Sequence, residues 1–135
     1  MQRKNNIFVG YVTPNEFNGM KIPLTLQHKT INEYVSSLKG IYKLSQTELI
    51  IKDAFTTLFS IIELSKPKSN IVMSSLFMLP ESNNYRQEFL KKIRKKKINL
   101  HFVFEKFKLN YQNMDELELF LDLFKVIKIN QFPFK

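Results

Sequence analysis

The chain has 135 residues, 44% of them hydrophobic and 24% charged, with 21 basic against 12 acidic side chains and a formal charge of +9. That length suits one domain, and that apolar share excludes a disordered chain. With no cysteine, disulfides, thiolate metal sites and cysteine nucleophiles are excluded.

The basic start Met1-Gln2-Arg3-Lys4 leads into Ile7 to Val12, an apolar stretch too short for a signal peptide and ended by Pro14. We therefore expect a cytoplasmic protein. The same stretch, Ile7 to Thr13, reads as a buried strand. Residues 14–23 form a loop punctuated by Asn18-Gly19 and Pro23. Ile31, Tyr34, Val35 and Leu38 then fall on one helical face and predict a helix over about 25–38, closed by Gly40. Ile41 to Thr47 is compatible with a strand. Ala54, Phe55, Leu58, Ile61, Ile62 and Ser65 mark a second helix over 52–65, stopped by Pro67. Asn70 to Leu76 is the next strand. Ser82 or Asn83 can cap a third helix to about Lys97, with Tyr85, Phe89 and Ile93 on its buried face. Ile98 to Phe104 is a further strand. Asn113-x-x-Glu116 opens a last helix with a Leu117, Phe120, Leu121, Phe124 stripe, and Val126 to Ile129 can add a short edge strand.

Strands alternating with helices imply an α/β fold: a single three-layer domain with a mostly parallel sheet of four or five strands and helices on both faces. The core should span about 7–127, with an apolar tail over 128–135. No apolar run approaches the ~18–20 residues of a membrane span. The positive charge is local. Lys91, Lys92, Arg94, Lys95, Lys96 and Lys97 hold six of the 21 basic groups, and without them the balance falls to +3. They sit in the last turns of a helix, where cations complement the helix dipole. The chain has only three arginines, the side chain that reads phosphate bidentately, so nucleic acid is not the expected partner.

Two resemblances attach to these elements. Gly10-Tyr11-Val12-Thr13-Pro14-Asn15, Leu76-Phe77-Met78-Leu79-Pro80-Glu81 and His101 to Glu105 resemble the framework of serine recombinase catalytic domains, the resolvases and invertases. In that correspondence the nucleophilic serine falls on Asn15, the first arginine on Thr13, and the later two on Met78 and Glu81. Recombination needs a serine alkoxide and cations around the transferring phosphate. The resemblance therefore implies the fold and argues against the activity. A second resemblance spans residues 10 to about 124. Gly10-Tyr11, Asn18-Gly19, Ile22-Pro23, Gln27, Tyr34, Leu44-Ser45-x-Thr47-Glu48, Ser75-Leu76-Phe77-x-Leu79-Pro80, Arg86 and His101-Phe102-x-x-Glu105 are similar to the sporadic carbohydrate cluster family of small bacterial proteins. It implies a setting in surface-polysaccharide or sugar-nucleotide biosynthesis, without a mechanism.

In parallel α/β sheets the ligand crevice lies beyond the carboxyl ends of the strands. Glu48 and Glu105 fall there. They can bind sugar hydroxyls or divide acid and base roles, or each can accept backbone N–H groups. His101, between Leu100 and Phe102, is a catalytic candidate or a satisfied core residue. Asn18, Gln27, Ser75 and Arg86 are the ligand-binding candidates. Gln27 either faces the crevice or bonds the 18–23 loop. Ser75 lacks a nucleophile elbow and suits a hydrogen-bonding role. Arg86 either clamps an anion or pairs with Glu81 or Glu88. No metal-ligand spacing and no glycine-rich nucleotide fingerprint occurs, so no metal or cofactor is assigned.

Three functions follow as expectations. The first is a sugar-binding or sugar-modifying protein that takes a sugar nucleotide or sugar phosphate. The second is a non-catalytic partner of a glycan-biosynthesis enzyme, docking through Phe132-Pro133-Phe134. The third is a degenerate recombinase relative that binds DNA. The apolar stripe of the last helix and the tail also make a homodimer a reasonable expectation.

Overall fold

The computed structural model describes residues 7–17, 19–51, 54–113, 115–117, 119 and 122. In chain order they form β1 (Ile7–Val12), α1 (Leu24–Ser37), β2 (Ile41–Thr47), α2 (Thr56–Leu64), β3 (Asn70–Met73), α3 (Asn83–Lys96), β4 (Asn99–Phe102) and β5 (Phe107–Leu109). Short 3-10 turns occur at Leu76–Met78 and Tyr111–Asn113. The sheet order is β2-β1-β3-β4-β5, parallel except for the antiparallel β4–β5 pair. The expected mostly parallel α/β sheet is present. No helix among the described residues is long and apolar enough to cross a membrane.

Side-chain alternation divides the core in two. On one face Phe8, Val12 and Val72 meet Ile31 and Val35 of α1. On the other, Tyr11, Ile71, Met73, Leu100 and Phe102 pack against Leu58, Ile61 and Ile62 of α2 and Phe89, Leu90 and Ile93 of α3. Most of the helical stripes read from sequence carry the burial, at roughly 1.5–3 kcal/mol for each large apolar side chain, but Leu38 and Tyr85, expected in them, are exposed. Gly10 is required by close approach. The β1–β2 register shifts between Val9 and Tyr11, and a Cβ at Gly10 would collide with the Ser45 and Tyr42 side chains.

Several boundaries differ from the sequence reading. β3 stops at Met73, because Ser75 caps a 3-10 turn by accepting from the Phe77 N–H at 3.1 Å. β4 stops at Phe102 and turns through Lys106, whose φ is 53°, into β5. β5 was not expected; its three residues are too few for alternation to declare itself. α2 begins at Thr56, and residues 52 and 53 lie outside the description. Asp115, Glu116, Leu117, Leu119 and Asp122 are helical, as expected, and Leu117 is buried. Phe120, Leu121, Phe124, the Val126 to Ile129 strand and the 128–135 tail lie outside the described residues.

The basic run is partly absorbed by the fold. α3 ends on left-handed Lys97, and the Ile98 N–H reaches back to the Ile93 carbonyl at 3.1 Å. Lys96 donates to the carbonyls of Ile62, Glu63 and Ser65, capping the C-terminus of α2. Lys92 pairs with Glu63 at 3.1 Å and Arg94 with Asp115 at 2.8 Å.

Candidate functional site

The sheet order reverses at β1, whose chain continues to β2 on one side while β3 returns on the other. Such a switch point opens a crevice, since the loops leaving the two strands diverge. A cleft of about 510 Å³ lies there. Tyr11, Thr13, Asn15, Glu16 and Phe17 line it from the β1 end, and Ala54 and Phe55 from the entry to α2. Phe77, Met78 and Leu79 of the 3-10 turn, with Glu81, Ser82 and Tyr85, form the opposite wall. All four positions that correspond to the recombinase catalytic groups (Thr13, Asn15, Met78 and Glu81) therefore meet in one cleft.

Of the sequence-predicted site residues that are described, none lines this cleft. Gln27 is fully buried on α1 and fixes the β1 exit. Its Oε1 accepts from the Thr13 N–H at 3.1 Å, and its Nε2 donates to the carbonyls of Thr13 and Ile22, each at 2.8 Å. Ser75 and Glu105 fix the other wall. The Ser75 hydroxyl donates to Glu105 Oε2 at 2.7 Å, and Glu105 Oε1 accepts from the Leu76 N–H at 3.0 Å. Arg86 donates from Nε to the Pro80 carbonyl at 3.2 Å and lies 3.9 Å from Asp122. Among the described residues its side chain meets that carbonyl and Asp122, and not Glu81 or Glu88.

Glu48 is buried beneath the cleft. Its Oε1 accepts from the Tyr11 hydroxyl at 2.8 Å and the Leu58 N–H at 3.2 Å. Its Oε2 accepts from the Leu49 and Thr57 N–H groups, each at 3.0 Å. A carboxylate thus satisfies the first-turn amides of α2, where the helix dipole also favours negative charge. Burial, reinforced by the Glu48 charge, raises the Tyr11 phenol above its ordinary range, so Tyr11 stays a protonated donor.

His101 points to the other face of the sheet, toward α1. Its Nδ1 lies 2.7 Å from the Tyr34 hydroxyl and its Nε2 3.0 Å from Asn70 Oδ1. The Asn70 amide nitrogen donates to the Ile7 carbonyl, which fixes Oδ1 as an acceptor. Nε2 therefore carries the proton, and Tyr34 donates to Nδ1. Burial first, and Lys108 on the paired strand second, push the imidazole down to about 4. Glu48, His101 and Glu105 do not converge on one cavity. Asn18 lies outside the described residues.

Sequence reasoning missed Phe55 and Tyr85 as cleft residues and did not single out Glu16 within the strand-end loop. Tyr85 reads as part of a buried helical stripe but is 50% exposed at the cleft wall. Among the described residues the cleft is lined by two glutamates and by no lysine, arginine or histidine. No group of three or more His, Asp or Glu side chains among them is placed to hold a metal ion.

No family model matches this chain, and no curated protein matches it significantly. Among solved structures it is similar to the crystal structure of the N-terminal catalytic domain of TP901-1 integrase. The TM-score is 0.57 at 14% identity, over 94% of this chain and 98% of that one. At that identity the likeness shows the fold alone: a resolvase-like α/β domain.

Proposed function

We propose that this chain is a small cytoplasmic sugar-binding protein of surface-polysaccharide or sugar-nucleotide biosynthesis, with the switch-point cleft as its ligand site. The observation that carries this reading is the composition of the cleft. Rings of Phe17, Phe55, Phe77 and Tyr85 stand among the amide, hydroxyl and carboxylate groups of Asn15, Thr13, Ser82, Glu16 and Glu81. Aromatic faces pack against the apolar faces of sugar rings, and a few convergent polar groups orient the hydroxyls. The biosynthetic setting rests on the blocks of residues similar to the sporadic carbohydrate cluster family. The reading assigns no catalytic step, because Glu48, Glu105 and His101 spend their hydrogen bonds inside the protein. It favours an unphosphorylated ligand over a sugar phosphate, since no cation among the described residues lines the cleft.

A thermal-shift panel of sugars, sugar phosphates and sugar nucleotides tests it. Stabilisation by a sugar that is lost in Tyr85→Ala supports the reading. No shift with any of them, or a shift that survives Tyr85→Ala, counts against it. A second reading, a non-catalytic partner of a glycan-biosynthesis enzyme, is favoured by the exposed run Leu49, Ile50 and Ile51 beside the cleft, of which Ile50 is 83% exposed. The Phe132-Pro133-Phe134 strip lies outside the described residues.

A further inference from the structure

We infer that the cleft selects a sugar bearing a free, protonated amino group over the same sugar with a neutral substituent. This rests on the sugar-binding reading above and adds the charge of the ligand. Glu16 and Glu81 stand at opposite walls of the cleft, on the β1 exit and on the segment leading into α3. Both are exposed, and among the described residues neither has a hydrogen bond or an ion pair.

Of the exposed carboxylates, Glu63, Asp115 and Asp122 are paired with cations, whereas Glu33, Glu88 and Glu116, like Glu16 and Glu81, have no ion pair among the described residues. What sets Glu16 and Glu81 apart is their place in the cleft beside aromatic walls, Phe17, Phe55, Phe77 and Tyr85. A ring face attracts a cation through its quadrupole, and a carboxylate accepts from an ammonium group in a charge-assisted hydrogen bond. The same two charges repel phosphate and do nothing to prefer a hydroxyl over an amine by shape. The volume, about 510 Å³, falls within the range of small-molecule sites. The amine thus supplies the positive charge that the described lining lacks.

Glucosamine, N-acetylglucosamine and glucose share one ring and differ at carbon 2, so they isolate the charge. The full chain would be titrated with each, and with glucose 1-phosphate, following backbone amide signals by NMR at slightly acidic pH and low salt. We expect glucosamine to bind at least about tenfold more tightly than the two neutral sugars, and the phosphate to bind worst. Glu16→Gln and Glu81→Gln should each weaken binding of glucosamine more than binding of the neutral sugars, and so reduce that preference. Equal binding of glucose and glucosamine overturns this inference and leaves the sugar-binding reading standing. A preference that survives both glutamine variants, or tighter binding of the phosphate, also overturns it. No binding of any of the four overturns both.

Discussion

The polar groups at the strand ends fall into two regions that look alike in sequence and differ in chemistry. Beneath and behind the cleft, Glu48, Glu105, Gln27 and Ser75 donate to or accept from backbone and side-chain partners at 2.7–3.2 Å. On the cleft wall, Glu16 and Glu81 have no such partners among the described residues. A buried carboxylate such as Glu48 survives only if its acceptors are filled, and half-buried Glu105 is spent in the same way, so the first region is part of the fold. An exposed carboxylate is satisfied by water and can exchange that water for a ligand. The difference teaches that position at a strand end does not make a residue a ligand contact; unspent hydrogen-bonding capacity at a cavity wall is the better sign.

The largest effect should come from the saturated region. Glu48→Ala strips acceptors from the Leu49, Thr57 and Leu58 amides and from the Tyr11 hydroxyl at once. We expect a loss of about 3–4 kcal/mol in urea unfolding. A loss below about 1 kcal/mol would break the distinction drawn here.

Next is the acid response of the α1 face. His101 titrates near 4 in the folded chain against an ordinary 6.5, so the unfolded chain takes up a proton first as pH falls. Stability is therefore full above about 6.5 and declines as pH drops toward 4, by roughly 3 kcal/mol at most. The groups facing the ring are Tyr34, Phe8, Asn70 and Lys108, and none of them supplies a negative charge to hold an imidazolium. Denaturant unfolding between pH 4 and 7 measures the decline, and His101→Gln should flatten it. An unchanged slope in that variant would assign the titration elsewhere.

The smallest effect should come from the cleft wall. Glu16→Gln and Glu81→Gln are expected to change stability by no more than about 0.5 kcal/mol, because neither side chain holds the fold. A larger loss in either would move that residue into the saturated class and sharpen the boundary between the two.

How much of this was legible depends on the range of the interaction. The burial of Ile31 and Val35, and of Phe89 and Ile93, follows from spacing along one helix, and the strand–helix alternation follows from local propensity. Tyr85 shares the Phe89 spacing yet lies half exposed, because the cleft opens at that end of α3. Periodicity names a face; it does not say where the opposing layer stops. The recombinase-like blocks marked Thr13, Asn15, Met78 and Glu81 by position, and the fold brings them to one cleft.

The order of β1 to β4 with their intervening helices, the parallel pairing of those strands and the location of a crevice beyond the strand ends were determined by the sequence alone, because they depend on local patterning and general connection rules. Which carboxylates serve the fold and which face the cleft was decided only by tertiary structure. Glu48 is filled by Leu58, ten residues on, and by Tyr11, 37 residues back, while Glu105 is filled by Ser75, 30 residues back. A hydrogen bond is satisfied by whatever the fold brings within about 3 Å, and that distance has no counterpart along the chain.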